Sequence, residues 1–583
     1  MPGARRNTES TAREVGRKTD KNMDFEEILA KCGNSSRYQF LLLSLYGFLM
    51  VVISMHYFSQ NVISFVPDHW CYHEQLANRS FADIEAIYSQ FERPACTRLA
   101  SIDPDGRNAT LSPERCNRWI YKYDFGYKSM NTELNWVCDE AYKPRVGQSL
   151  FFVGSVCGTL VFGLLGDRIG RIKALILANW CGFLGDFSTI FAESLTSFSL
   201  SRFVSGLAAD ANSYLMYILI LEYVSPSLRN VGLNTVLGSF YCLGLIGASW
   251  LAVWVGHWRI FLACSSLPLL LVTLFYFLVQ ESAQWLVTRN DIDGAITRLQ
   301  RVAKINRREV SDDDFKAFRG YCERHYQKEA QAAKSQTKLL DMLKTPRMRS
   351  TAFKLLMIFI IITPCYNTIA RNVEGLGISP FIMFSLNALT LPPSGYLQGL
   401  LQDRIGRKAT AVSWMAITGL FAAGAGLVIS LGRNQNVLLL VGLTLAARFG
   451  VSIADGASSQ FSTELIPTCV RGRGVAVVHV AGFAASFLSP YILHLGTYFR
   501  PAPSIILGLL FLAGAYVCLL LPETRNRKLP MSLAEGEEFG KGERMFDFLR
   551  NLRKGESQEV ETGVEMAAKA KEEDTLMTKT AQQ

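Results

Sequence analysis

Twelve stretches of the chain, each about 20 residues long and almost free of charge, leave it few ways to fold. They lie at residues 40–66, 146–166, 172–192, 198–223, 231–255, 260–279, 353–370, 380–401, 409–431, 437–461, 475–495 and 502–521. A run of that length crosses the hydrocarbon core as a helix, because a helix satisfies its own backbone where no water is present. Only 19% of the residues are charged, and they gather in the intervals between the runs. The pattern predicts an all-α membrane protein with twelve transmembrane helices, six on either side of a polar interval.

The net charge of +10 would also suit nucleic acid, but the placement of the basic residues argues for a bilayer instead. Basic clusters at 168–173, 289–349, 404–408, 471–473 and 525–528 fall in alternate loops, on the same side as the basic N-terminus. The positive-inside rule makes that side cytosolic, with both termini inside, in a multi-pass protein of the plasma membrane. Nearly forty polar, basic residues precede the first run, so it is not expected to be a cleaved signal. The expected layout is a cytosolic N-terminus (1–37), a six-helix bundle (38–279) with an extracellular loop at 67–144, a cytosolic linker (280–350), a second bundle (351–521) and a mostly disordered tail (522–583).

The loop has the chemistry of an oxidising compartment. Cys71, Cys96, Cys116 and Cys138 form an even set with three possible pairings, and Asn78 and Asn108 each begin a glycosylation acceptor. In the tail, Met545, Phe546, Phe548, Leu549 and Leu552 alternate with Arg544, Arg550, Arg553 and Lys554. That suits either a short amphipathic helix on the anionic inner leaflet or an unstructured segment.

The two bundles carry the same marks. Gly166-Asp167-Arg168-Ile169-Gly170-Arg171 after the second run recurs as Gln402-Asp403-Arg404-Ile405-Gly406-Arg407 after the eighth. Arg202-Phe203, Asp210, Glu222 and Arg229 on the fourth are matched by Arg448-Phe449, Asp455, Glu464 and Arg471 on the tenth, and Glu281 by Glu523. Six helices repeated in parallel predict two pseudo-symmetric bundles with a solute site between them near the midplane.

Gly163-x-x-x-Asp167-Arg168-x-Gly170-Arg171 resembles the signature of the major facilitator superfamily. A narrower resemblance is to its organic cation, anion and zwitterion transporter family (solute carrier family 22). It rests on Asp24-Phe25-Glu26-Glu27-Ile28-Leu29, Val66-Pro67-Asp68-His69-Trp70-Cys71, Trp136-Val137-Cys138, Gln148-Ser149-Leu150-Phe151-Phe152-Val153-Gly154 and Leu521-Pro522-Glu523-Thr524. Glu281-Ser282-Ala283-Gln284-Trp285-Leu286 is similar to that family's Pro-Glu-Ser-Pro-Arg-Trp-Leu, with Gln280 in place of the first proline and Gln284 in place of the arginine. The resemblance implies the major facilitator fold and transport of a small organic solute. It also places Phe483 at a position of the eleventh helix where cation-preferring members have aspartate and anion or carnitine members arginine. This chain has neither, so that charge rule does not apply to it. The run Phe487-Leu488-Ser489-Pro490-Tyr491 is closer to the carnitine branch.

Charges at the helix ends and at mid-depth have different readings. Asp167, Arg168, Arg171, Glu222, Arg229 and Glu281, with Asp403, Arg404, Arg407, Glu464, Arg471 and Glu523, are expected to pair as a cytosolic gate, or else simply to fix packing. An ionised side chain at the bilayer centre costs about 2.5–3.5 kcal/mol on insertion scales, so a deep charge is expected either to line a central cavity or, as Arg448 and Asp455 could, to join a purely structural ion pair. Asp210 and Asp455 lie about 18 Å and about 13 Å along their helices from the terminal glutamates. Arg448, Ser452, Asp455 and Ser459 form one polar stripe, as do Asp210, Ser213, Tyr214 and Tyr217. Asp186 reads as packing support. The candidate solute-binding set is Asp210, Tyr214, Asp455, Arg448, Arg371, Glu374, Tyr241 and Phe483, with Tyr57, Trp180, Tyr241 and Trp254 as possible cation–π partners.

These residues point to alternating-access transport of an organic cation or zwitterion, such as a biogenic amine, a carnitine-like compound, or β-alanine and its conjugates. An organic anion carrier is the alternative, and a non-transporting solute sensor is the alternative outside transport. No Walker loop, His-Glu-x-x-His or Gly-x-Ser-x-Gly is present, so neither an enzyme, a metal centre nor a cofactor is expected. The expected partners are the solute and membrane lipid, not nucleic acid, and neither the coupling ion nor the oligomeric state is legible.

Overall fold

The computed structural model describes residues 23–88, 96–102, 109–225, 228, 234–332, 339–374, 376–431, 436–525, 527, 529–543 and 545–547. Helices occupy the positions of all twelve apolar runs. Ten of them are long and apolar enough to cross a membrane: Arg37–Ile63, Cys138–Ile169, Leu195–Leu221, Thr235–Val255, Trp258–Leu278, Pro346–Arg371, Arg407–Ser430, Val437–Leu465, Arg471–Thr497 and Ala502–Leu519. The third and eighth spans complete the set by position. The third, Arg171–Thr189, contains Asp186 along with Arg171 and Lys173. The eighth is broken into Pro380–Leu389 and Leu391–Ile405, with prolines in the first turn of the second piece. A proline there lacks the N–H that would continue the ladder. The architecture is the twelve-helix major facilitator fold.

The repeated glycines have a geometric cause. Gly170 (φ 104°) and Gly406 (φ 99°) turn the chain sharply from the second span into the third and from the eighth into the ninth. A Cβ at Gly170 would stand 2.3 Å from Glu281 Oε2, and one at Gly406 would stand 2.7 Å from Glu523 Oε2. The missing side chain lets each glutamate reach the start of the following helix. Glu281 accepts from the backbone N–H groups of Arg171 (3.0 Å) and Ile172 (3.2 Å). Glu523 accepts from those of Arg407 (3.1 Å) and Lys408 (3.4 Å). A carboxylate at a helix N-terminus is favoured by the exposed N–H groups and the helix dipole.

The fold departs from an all-helical one in the large loop. Strands β1 (Asp68–Cys71), β2 (Thr97–Ile102), β3 (Ala109–Arg115) and β4 (Trp119–Lys122) form two antiparallel pairs, β1 with β4 and β2 with β3. Disulfides join Cys71 to Cys116 and Cys96 to Cys138, which selects one of the three possible pairings. Glu133 anchors the loop to the sixth span, accepting from Trp258 Nε1 (2.6 Å) and Arg259 Nη2 (2.9 Å). Asn78 lies in this loop and is exposed. Asn108 lies outside the described residues.

Each half has its own brace on the opposite, basic side. The linker helix Ile292–Asn306 buries Ile292, Ala295, Ile296, Leu299, Val302 and Ala303 against the first half. Its Asn306 accepts from the Tyr38 N–H and donates to the carbonyls of Cys32 and Gly33, tying in the short helix Phe25–Cys32. Under the second half the tail folds back. Glu537 accepts from the Arg347 and Met348 N–H groups that open the seventh span, and Glu543 from the Glu523 N–H. Of the tail's apolar and basic alternation, Met545 and Phe546 are described; Arg544 and Phe548 to Lys554 are not.

Candidate functional site

The fourth span is interrupted at mid-depth. Its first piece ends at Gly206 and a turn follows over 207–210. Helix resumes at Ala211 with Asp210 at its N-cap. Asp210 is half-buried, accepts a hydrogen bond from Ser155 of the second span, and lies within electrostatic reach of Arg371.

The tenth span runs unbroken past Arg448 and Asp455. Arg448 is 1% exposed. Its Nη2 donates to Tyr366 Oη at 3.1 Å, and its guanidinium stands 4.3 Å from the centre of that ring. Nε and Nη1 have no partner among the described residues. Asp455 is half-buried and feels Arg448 electrostatically, yet it makes no ion pair or hydrogen bond among the described residues. The two charges share a helix face without neutralising each other.

Arg371, at the end of the seventh span, sits in a box of three rings. Its guanidinium lies 4.9 Å from Tyr57, 5.1 Å from Phe58 and 4.8 Å from Phe152. Nε donates to Asn61 Oδ1 (3.1 Å) and Nη1 to Asn367 Oδ1 (2.7 Å), while Nη2 is unpartnered among the described residues. Asn367 Oδ1 also accepts from Tyr57 Oη (2.8 Å). Tyr57, Phe58, Asn61 and Phe152 belong to the first half, Arg371 and Asn367 to the second, so this cluster locks the halves together. Ser149 Oγ donating to the Phe487 carbonyl (3.1 Å) and Arg145 beside Glu374 (3.7 Å) add to the lock. All of these lie toward the side of the disulfide-bonded loop, and the halves are closed on that side.

The other candidates are spread around this axis. Tyr241 packs edge-on against Phe58, with ring centres 6.4 Å apart, and lies within electrostatic reach of Asp210, Arg371 and Tyr366. Tyr214 is exposed and faces the charges of Asp167 and Arg171 instead. Phe483 is half-buried, next to Gly482, which packs on Thr363. Glu374 lies at the rim with Arg145, away from the mid-depth charges. Trp180 and Trp254 are exposed on the outer surface of the bundle, and Tyr57 is occupied by Arg371.

On the basic side, ion pairs among the described residues stay within each half. Arg171 pairs with Asp167 (2.5 Å), and Glu222 leaves Oε2 without a partner. Arg407 bonds Glu464 (3.1 Å) and stands 3.9 Å from Asp403, and Thr524 donates to Glu464 (2.5 Å). Arg471 donates to the Ile466 carbonyl and Thr468 rather than to Glu464. Arg168 and Arg404 are exposed, and Arg229 lies outside the described residues.

One cluster is only partly foreshadowed in the sequence pattern, through Asp186 and Arg202 but not His56. His56, Asp186 and Arg202, on the first, third and fourth spans, are each 0% exposed. Asp186 Oδ1 accepts from Arg202 Nη1 (2.7 Å) and Ser205 Oγ (2.6 Å), and Oδ2 meets His56 Nδ1 (2.7 Å). A lone histidine in an apolar run has no periodic signature, and Arg202 stood out only as a repeat mark. The counterpart of Arg202 in the repeat was the available signal: two equivalent buried arginines each need an answer.

The family model described as "Sugar (and other) transporter" matches residues 120–532. The chain belongs to that family. Among its relatives are the organic cation transporter protein of Drosophila melanogaster, 24% identical over 89% of this chain and 95% of the relative, and organic cation transporter 1 of Caenorhabditis elegans, 26% identical over 91% of each. Organic anion transporter 3 of Oryctolagus cuniculus is 27% identical over 89% of this chain and 94% of the relative. The fold is similar to that of the xylose transporter XylE from E. coli in a partially occluded inward open conformation. That match has a TM-score of 0.55 at 13% identity, over 84% of this chain and 100% of the other. The protein is a multi-pass membrane transporter of organic solutes, not an enzyme, and the resemblance to the solute carrier 22 family holds over most of its length.

Proposed function

We propose that the chain moves small organic zwitterions or cations across the plasma membrane by alternating access, with carnitine-like compounds, β-alanine-type solutes and biogenic amines in range. One observation carries the reading: Arg448 is buried with two nitrogens open, and Asp455, on the same helix, is half-buried and unpaired. A buried donor without an acceptor costs about 1–3 kcal/mol, more when charged, so a solute carboxylate at Arg448 relieves a standing penalty. The solute ammonium then meets Asp455 or Asp210, in charge-assisted bonds stronger than neutral ones. Tyr241 and Phe483 line the same axis, and Tyr214 stands on the way out.

In this reading the disulfide side is extracellular and the basic side cytosolic, with both termini inside and Asn78 available for glycosylation. Arg371, with Asn61 and the three rings, acts as the extracellular latch, and Glu374 with Arg145 closes its rim. The basic-side clusters hold the ends of each bundle together while the halves part. The open nitrogens of Arg371 and Arg448 equally favour an organic anion, which makes that the second reading.

Uptake into cells expressing the full chain distinguishes them, using a labelled quaternary amine, carnitine, β-alanine and a dicarboxylate as probes. The proposal expects saturable uptake of a zwitterion or amine, abolished by Asp455→Asn at unchanged surface expression. Uptake of the dicarboxylate alone selects the anion reading, and lost surface expression of the variant assigns Asp455 to structure.

A further inference from the structure

Asn387, on the eighth span, is 4% exposed, and neither Oδ1 nor Nδ2 of its side chain has a partner among the described residues. A buried amide without hydrogen bonds is destabilising and rare in folded proteins, and an apolar residue of the same size would avoid the cost. The helix also breaks beside it. Pro392 and Pro393 have no N–H, so the carbonyls of Ala388 and Leu389 lose their ladder donors. The Ala388 carbonyl takes the N–H of Thr390 instead, and the Thr390 hydroxyl turns back to the Asn387 carbonyl (2.7 Å). Irregular backbone at membrane depth is tolerated where it is buried in protein or lines a polar cavity.

The surroundings of this break belong to the solute axis. Phe384, about one turn earlier on the same face, packs edge-on against Phe58 with ring centres 6.3 Å apart, and Phe58 in turn covers the Arg371 guanidinium. A Cβ at Gly238 of the fifth span would stand 4.0 Å from Pro392 Cα, and Tyr241 lies one turn further on that helix. Deeper in, Gln398 fills the space beside Gly456 and Gln402 donates to the Ala457 carbonyl (3.4 Å), so the eighth and tenth spans run side by side in the same direction. Counting back along both helices from those contacts brings Asn387 level with the turn that holds Arg448.

The repeat agrees. Laying Gly170-Arg171 on Gly406-Arg407 puts Asn387 where the first half has Phe151, whose ring lies 5.0 Å from the Arg202 guanidinium. Arg448 repeats Arg202, so the second half sets an amide where the first sets a ring. That amide and the open nitrogens of Arg448 do not bond each other. A side-chain amide offers both a donor and an acceptor and carries no charge. It therefore does not sort cations from anions. What it recognises is a neutral group able to donate and accept, a hydroxyl or an amide. A solute that lacks the group leaves the buried amide unpaired and is rejected for that reason.

We propose that Asn387 is a specificity-determining residue that reads a hydroxyl or amide carried between the two charged ends of the solute. The proposal rests on the transport reading above. Its test is uptake of two matched pairs of labelled solutes into cells expressing the full chain. Carnitine is paired with γ-butyrobetaine, which lacks only the hydroxyl, and β-alanylglycine with ε-aminocaproate, which has the same length without the amide. In the natural chain the hydroxyl or amide member of at least one pair should be preferred by about 10-fold or more in apparent affinity. In Asn387→Leu that preference should fall to about twofold or less, through weaker uptake of that member and stronger uptake of its analogue. The melting temperature of the variant should be equal or higher, because an unpaired buried amide has been removed. No preference within either pair in the natural chain overturns the proposal and leaves transport standing, as does a preference that survives in Asn387→Leu. Loss of surface expression in both Asn387→Leu and Asn387→Ala also overturns it, by assigning the amide to structure. Absence of saturable uptake of all four solutes overturns the zwitterion reading and the subsite with it.

Discussion

The two halves carry the same Arg-Phe pair at the same place and treat its charge in opposite ways. In the first half Arg202 is neutralised by Asp186 at 2.7 Å, with His56 closing the network. In the second half Arg448 is equally buried, but the only hydrogen-bond partner of its guanidinium among the described residues is the hydroxyl of Tyr366. Laying Gly170-Arg171 on Gly406-Arg407 places Ala422, itself buried, where the first half has Asp186. The repeat thus retains the cation and omits its counterion. A pair kept for packing needs both members; a cation left open has capacity for a ligand.

The comparison is broken most severely from the first half. Asp186→Ala leaves Arg202 buried and unpaired, and removing one member of a buried pair costs about 3–5 kcal/mol. Collapse of surface expression and a large fall in melting temperature are expected. Arg448→Met should do the reverse, losing zwitterion affinity by about 1.5–3 kcal/mol, the worth of a hydrogen bond to a charged group, at equal or higher melting temperature. Binding and thermal-shift measurements on the same preparation check this, and a large destabilisation would mean that Arg448 is structural like its counterpart. Ala422→Asp sharpens the contrast by supplying the missing counterion: uptake of carboxylate-bearing solutes should fall while thermal stability holds. Smallest are the symmetric caps. Glu281→Gln and Glu523→Gln should each cost about 0.5–2 kcal/mol, the range for a lost N-cap, and by similar amounts if the halves are equivalent there.

The caps and turns were readable because they are local and repeated. Gly170 and Gly406, the Asp-Arg marks beside them and the two glutamates recur at nearly one offset, and the turn geometry explains each of them. Pairing across the basic-side clusters was not readable. Arg471 bonds its own turn rather than Glu464, whose two oxygens are already taken by Arg407 and Thr524. Tyr57 was visible as an aromatic able to hold a cation, but not that Arg371 of the other half fills it. Asp186 was visible as a buried carboxylate, while His56 was not singled out at all.

By itself the sequence determined the number of spans, the repeat, the side on which charge collects and the four loop cysteines. These follow from a one-dimensional demand: about 20 apolar residues per crossing, with polar groups banished to the ends. Only the tertiary structure decided which buried charges are answered. His56 and Asp186 are 130 positions apart, and Arg371 and Asn61 are 310 apart. Partners at such separations are chosen by how helices pack, and in a low-dielectric interior that choice gives one buried arginine a counterion and leaves its repeat without one.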